Sequence, residues 1–188
     1  MAERASGEAI GVIELSSIAQ GLVTCDAMVK MAHVDLIESR PFSAGKYMIL
    51  IGGEVASVQA AIEKGRLVAG EWMVDRLFIP NAHEGLFPAI RGTAARSPVA
   101  ALGAIETSSV AATIVAADAA AKAAEVRLLE ARLGQGIGGK GYFTLTGSVA
   151  SVEAAIDAGE SAIAEGGRLL RRIVIAAPHD EMLARIFS

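Results

Sequence analysis

Ala9-Ile-Gly-Val-Ile-Glu-Leu-Ser-Ser17 returns further along the chain as Ala101-Leu-Gly-Ala-Ile-Glu-Thr-Ser-Ser109. Working outward, the match runs at an offset of 92 as far as Arg40 and Arg132, with about half of the positions identical. Asp26-Ala27 meets Asp118-Ala119, Lys30 meets Lys122, and Val34-x-Leu36 meets Val126-x-Leu128. Arg40-Pro-Phe-Ser-Ala-Gly-Lys46 then faces the longer Arg132-Leu-Gly-Gln-Gly-Ile-Gly-Gly-Lys140, and the offset becomes 94. Gly53-Glu-Val-Ala-Ser-Val58 matches Gly147-Ser-Val-Ala-Ser-Val152, and His83-Glu84 matches His179-Asp180. The chain is a tandem duplication, so elements read in one repeat can be checked on the other.

Ile10–Glu14 is a short apolar run that suits a strand, and Ser16 and Ser17 after it suit a helix N-cap. The following helix extends to about Ala32 and places Ile18, Leu22, Cys25 and Val29 on one apolar stripe, expected to face the core. Val110, Ile114, Ala117 and Ala121 form the same stripe in the second copy. Val34–Ser39 and Tyr47–Gly52 read as strands joined by the loop at Arg40–Lys46. Val55–Ala69 reads as a helix with Val58, Ala61 and Ile62 inward, Leu77–Ile79 as a last strand, and the chain from Asn81 to Ile90 as a short closing helix. Each repeat is thus βαββαβ plus a small helix, an α+β arrangement of ferredoxin-like type. Residues 9–90 form the first domain and 101–188 the second. The polar, aperiodic stretch 91–100, which includes Gly92 and Pro98, links them.

Composition narrows the function classes. A hydrophobic fraction of 53% with aromatics at only 4% calls for cores and subunit contacts built from Ala, Val, Ile and Leu. The net charge of -4 argues against a nucleic-acid partner, which selects a basic face. The residues before Ala9 lack the apolar segment of a secretory signal. Val110–Ala124 carries Asp118 and Lys122 and is too short for a membrane span, which needs roughly 20 apolar residues. The expectation is a cytoplasmic protein with no membrane partner. Cys25 is the one cysteine, so a single chain makes no disulfide and no thiolate zinc cluster.

Candidate chemistry is sparse. Gly134-x-Gly136-x-x-Gly139 has dinucleotide spacing, and Gly134 to Lys140 approaches a phosphate loop, but both motifs need a helix to follow. Here Gly141-Tyr-Phe-Thr-Leu-Thr146 alternates like a strand, and the matching loop of the first repeat lacks the pattern. His83 and His179 are expected to bond at a helix start, His33 to lie on the surface, and Cys25 to be a buried thiol. Lys30 and Lys122 sit near helix C-termini, where the dipole favours a cation. Their presence in both copies also suits a subunit contact. No catalytic constellation or metal spacing is visible, so the chain is not expected to be an enzyme.

The repeated motifs Ile10-Gly-Val-Ile-Glu14, Asp26-Ala-Met-Val-Lys30, Val34-Asp-Leu36 and Gly53–Val58, with their second copies, resemble the shell-protein domain of bacterial microcompartments. The likeness covers nearly the whole chain twice. It is strongest to the unpermuted, tandem-domain type of propanediol-utilisation compartments. This resemblance implies a pseudohexameric homotrimer that tiles into a shell with other shell proteins and passes small metabolites through a central pore. The matched positions along that pore are Phe42, Ser43, Ala44, Gly45, Gly136, Ile137, Gly138 and Gly139. Lys30 and Lys122 match the lysines of the tile edge.

Two positions depart from the resemblance. Ser43 stands where the related protein has a cysteine holding an iron–sulfur cluster at the pore. Serine is a poor iron ligand beside thiolate, so no cofactor is expected. Asn81 and Ala177 stand near where the family has an arginine before the closing histidine, which implies different edge contacts. The unpermuted strand order argues against a large gated pore. An electron-carrying tile or a nucleotide-sensing trimer are the alternatives.

Overall fold

The computed structural model describes residues 9–42, 45–95, 98–134 and 136–186. The first repeat contains β1 (Ala9–Leu15), α1 (Ile18–Met31), β2 (Asp35–Phe42), β3 (Lys46–Gly53), α2 (Val55–Ala69), β4 (Met73–Ile79) and α3 (Leu86–Arg91). The second contains β5 (Ala101–Thr107), α4 (Val110–Ala123), β6 (Val126–Leu133), β7 (Gly141–Gly147), α5 (Val149–Ala162), β8 (Leu169–Ile175) and α6 (Asp180–Ile186). Both repeats form a four-stranded antiparallel sheet, in the orders β2-β3-β1-β4 and β6-β7-β5-β8. The fold is α+β, used twice.

The caps follow the duplicated serines. Ser17 Oγ accepts from the Gln20 amide at 3.2 Å, and Ser109 Oγ accepts from the Ala112 amide at 3.2 Å. Each satisfies an amide that the helix itself leaves open. α5 is capped by Ser148, whereas its counterpart α2 begins at Glu54 with no side-chain cap.

The chain divides into two compact units. The first holds β1–β4, α1 and α2, together with loop residues Gly134 and 136–139. Its core lies between sheet and helices, on Ile13, Leu15, Met28, Ile49, Ile51 and Ile62. The second holds the remaining elements, including α3, which ends the first repeat in sequence but packs against β6 and α4. Leu86 and Ala89 of α3 are buried there.

The two expected helix stripes part company. In α4, Val110, Ile114, Ala117 and Ala121 are all buried. In α1 only Cys25 is, while Ile18, Leu22 and Val29 are 43%, 58% and 39% exposed. The core side of α1 is instead Gly21, Thr24, Cys25 and Met28. The physical reason is cover. α3 lies over α4 and β6, and among the described residues of the first unit no comparable helix covers the stripe of α1.

Small and large residues have exchanged places between the copies. In the first unit Gly21 faces Tyr47, so closely that a Cβ on Gly21 would sit 2.4 Å from the ring. In the second unit the same two positions are Thr113 and Gly141, and a Cβ on Gly141 would meet Thr113 Oγ1 at 2.0 Å. Each copy packs one bulky side chain against one glycine, from opposite sides of the helix–sheet contact.

Candidate functional site

The β2–β3 and β6–β7 connections start from the same clamp. Arg40 Nε donates to Glu38 Oε2 at 2.7 Å, and Arg132 Nε donates to Glu130 Oε2 at 3.0 Å. The bond to Glu130, more than its charge alone, holds the Arg132 guanidinium more firmly protonated than usual. In the second copy the Tyr142 hydroxyl also donates to Glu130 Oε1 at 3.0 Å. Burial, then the bond to Glu130 and its negative charge, push the Tyr142 phenol above its ordinary range, with Arg132 pulling the other way. These clamps fix where each loop leaves its sheet. The repeated Glu-x-Arg of Glu38–Arg40 and Glu130–Arg132 is the signal that could have revealed them.

Beyond the clamps the loops differ. In the first, Phe42 is buried, with Gly134 packed against its ring. A Cβ on Gly134 would lie 2.5 Å from that ring, so glycine is required for the approach. Lys46 Nζ stands 5.8 Å from the Phe42 ring centroid, within cation–π range. Ser43 and Ala44 lie outside the described residues. Gly45 is exposed, with φ +75°.

In the second loop Gly134, Gly136, Gly138 and Gly139 all have positive φ, which side-chain-bearing residues rarely adopt. Gly136 and Gly138 are exposed, Ile137 is half-buried and Gly139 is buried. The loop leads into strand β7, not a helix, so its amides do not form the helix-start cradle a phosphate needs. Lys140 Nζ is held by Glu106 Oε1 at 2.9 Å.

Lys30 and Lys122 occupy the last turns of α1 and α4, each bonded to the aspartate four residues earlier at 2.6 Å. Lys30 and Asp26 are both exposed, whereas the Asp118 side chain is only 9% exposed. Cys25 is buried and accepts from Ser39 Oγ at 3.2 Å, with the Tyr47 hydroxyl 2.8 Å further along. The second copy has Ala117, Ala131 and Gly141 at these three places. The cluster is therefore packing particular to the first unit. His179 Nδ1 accepts from the Glu181 amide at 3.2 Å, the expected bond at a helix start. Among the described residues no three His, Cys, Asp or Glu side chains gather as metal ligands would. No described helix is long and apolar enough to cross a membrane.

The BMC domain family matches residues 9–82 and again 101–178. The bacterial microcompartment shell protein PduT of Citrobacter freundii is 43% identical over 175 residues, spanning 93% of this chain and 95% of that protein. The carboxysome assembly protein CcmO of Synechococcus elongatus is 30% identical, over 93% of this chain and 67% of its own length. Among solved structures, a microcompartments protein from Desulfitobacterium hafniense superposes with a TM-score of 0.89 at 46% identity, covering 94% of this chain and 98% of that one. The fused permuted hexameric shell protein MSM0275 superposes at 0.61 with 22% identity, over 87% of this chain and 85% of that one, a likeness of fold.

Proposed function

The chain belongs to the BMC-domain family and carries that domain twice, and from this premise we propose that it works as a trimeric tile of a microcompartment shell. It is a structural shell component. Three copies bring six domains into one ring, with the β2–β3 and β6–β7 loops alternating around its axis. Cyclic closure is the usual way for a chain to bury self-complementary surface. The observation that carries the assembly half of this reading is the exposed apolar stripe of α1, whose duplicate in α4 is buried.

Ser43, Ala44, Gly45, Gly136, Ile137, Gly138 and Gly139 line the passage in this reading, with Phe42 supporting them from behind. Bare glycine backbone and a serine hydroxyl make a narrow, mildly polar constriction that suits small metabolites and selects by size and lining polarity. The tile holds no iron–sulfur cluster, because Ser43 offers a hydroxyl where a thiolate is needed. It carries out no catalysis, and it meets other shell proteins at edges that present Lys30 and Lys122. Its place is the compartment shell in the bacterial cytoplasm.

Sedimentation of the purified chain should give a trimer, and co-expression with other shell proteins should give closed shells or flat sheets by electron microscopy. A stable monomer that enters neither would overturn the reading. Iron assay after anaerobic purification tests the pore chemistry. Stoichiometric iron would restore the electron-carrying alternative.

A further inference from the structure

Arg40, Arg66, Arg76, Arg132 and Arg172 each sit beside a carboxylate. Arg127, on β6, does not. Its Nε and Nη2 atoms are shut off from water and have no hydrogen-bond partner among the described residues. These two N–H groups form the edge of a guanidinium that holds a carboxylate side-on, through two parallel bonds. A buried donor left bare is costly, and such a group calls for an explanation in strain or in a ligand.

Arg127 also lines a cavity of about 300 Å³, together with Pro98, Ala100, Glu125, Val126 and Thr146. That volume is at the lower end of the range for small-ligand sites. All of these residues belong to the second unit. The cavity lies at the ends of β6 and β7 remote from their connecting loop, for Val126 pairs with Gly147 there, whereas Leu133 and Gly141 pair beside the loop. The length of β7, on the order of 20 Å, separates the two places. The cavity is also particular to the second repeat. Glu125, Arg127 and Thr146 correspond to His33, Asp35 and Gly52, so the first copy carries an anion where the second carries its cation.

The lining selects a class of ligand. Arg127 supplies the positive charge, and Pro98, Ala100 and Val126 supply apolar wall. Glu125 is exposed beside the same cavity, and its charge opposes a dianion. The Thr146 hydroxyl is committed to the Ala101 carbonyl at 2.8 Å, which leaves the anion to Arg127. We propose that this cavity binds a small monocarboxylate with a short aliphatic body, held side-on by Arg127 Nε and Nη2. Arg127 as a whole is half-buried, so a turn of its end brings that edge to face the cavity. The site does not depend on the shell-tile reading, because every residue in it belongs to one unit of one chain.

The test titrates the full-length protein with sodium butyrate against sodium chloride at equal ionic strength, with inorganic phosphate as a second comparison. Butyrate should give a saturable rise in Tm of about 3–6 °C at about ten times its Kd. Saturation-transfer NMR should show its methyl protons in contact with the protein. Arg127→Met keeps the apolar length of the side chain and removes the guanidinium. It should weaken butyrate binding about tenfold or more and raise Tm in chloride, since a bare buried cation is gone. A rise with butyrate no larger than with chloride, or one that survives Arg127→Met, would overturn the proposal. Phosphate binding more tightly than butyrate would overturn the choice of a monocarboxylate. An Arg127→Met chain less stable than the parent in chloride would mean that the guanidinium already has its partner, and would sink the site. Sedimentation of the same samples keeps the two readings apart: a monomeric parent that still binds butyrate refutes the tile and supports the site.

Discussion

Replacing Gly21 by alanine should destabilise the protein even though alanine is the better helix former. The new Cβ would lie 2.4 Å from Tyr47 Cδ1 and Cγ and 2.6 Å from Tyr47 Cβ. Carbon atoms rest at about 3.5–4.0 Å, so the pair must part by about 1 Å. Turning the Tyr47 ring cannot supply that, because Tyr47 Cβ is itself among the clashing atoms and sits on the backbone of β3. The ring is also held, through its hydroxyl, to Ser39 at 2.8 Å. Overpacking of this kind costs about 3 kcal/mol, the upper part of its usual range. Removing glycine from a helix interior returns about 1 kcal/mol. The net loss is about 2 kcal/mol, or a fall in Tm of about 4–8 °C for a chain of this size. Tyr47→Gly alone should cost about 3 kcal/mol or more for the lost side chain. In the double variant with Gly21→Ala the clash, Tyr47 Cβ included, is gone, so the losses should fall short of additive by about 2–3 kcal/mol. Urea unfolding at one fixed protein concentration measures the cycle, the concentration being held because assembly adds to apparent stability. Additive losses, or a Gly21→Ala variant as stable as the parent, would refute the reasoning.

Lys30→Ala removes only an exposed pair and should change unfolding by less than about 0.5 kcal/mol, yet it should weaken sheet formation in electron micrographs; undiminished sheets would remove Lys30 from the tile edge. Lys122→Ala should cost more, about 1 kcal/mol, since it takes a partner from the nearly buried Asp118 carboxylate. Because folding raises the Tyr142 pKa, its contribution is intact below the unfolded value of about 10 and is lost as pH climbs through the higher folded value. Stability of the parent should therefore fall above about pH 10 more steeply than that of Tyr142→Phe, and identical pH profiles would count against the Glu130–Tyr142 bond. Glu54→Ser supplies α2 with the cap that Ser148 gives α5 and should stabilise by about 0.5–1 kcal/mol in urea unfolding; no gain would mean that the α2 amides are already satisfied.

The strands, the caps and the duplicated βαββαβ order are legible because each rests on local chemistry written twice. Ser17 and Ser109 bond amides three residues away, and the continuous apolar run Tyr47–Gly52 marks a strand on local chemistry alone. The loop at Gly134–Lys140 is legible too, once the strand that follows it is weighed against its glycine spacing. What defeats the sequence is a question of cover. Ile18, Leu22 and Val29 have the same helical spacing as Val110, Ile114 and Ala121, and periodicity shows that a face is apolar, not which element reaches it. The burial of Phe42 is hidden for a related cause: Gly134, which meets its ring, lies far along the chain.

The exchange of Gly21 and Tyr47 for Thr113 and Gly141 adds a step that neither repeat yields alone. Each pair is matched within its own unit, so the interiors of the two copies have been free to drift apart while each stayed close-packed. The stripes have not been free in that way. Val110 and Ile114 remain apolar beneath α3, and Ile18 and Leu22 remain apolar while 43% and 58% exposed. An exposed apolar stripe gains nothing from its own fold, and long solvent-facing hydrophobic surface is a liability for a chain that stays alone. Its persistence beside a core that has drifted is what an intermolecular contact predicts, and it separates that explanation from mere inheritance of a shared ancestral helix. Substituting Ile18 and Leu22 by glutamate together should therefore leave the fold of the first unit intact and lower the assembly state. A loss of helical signal without any change in sedimentation would place the stripe in the core after all.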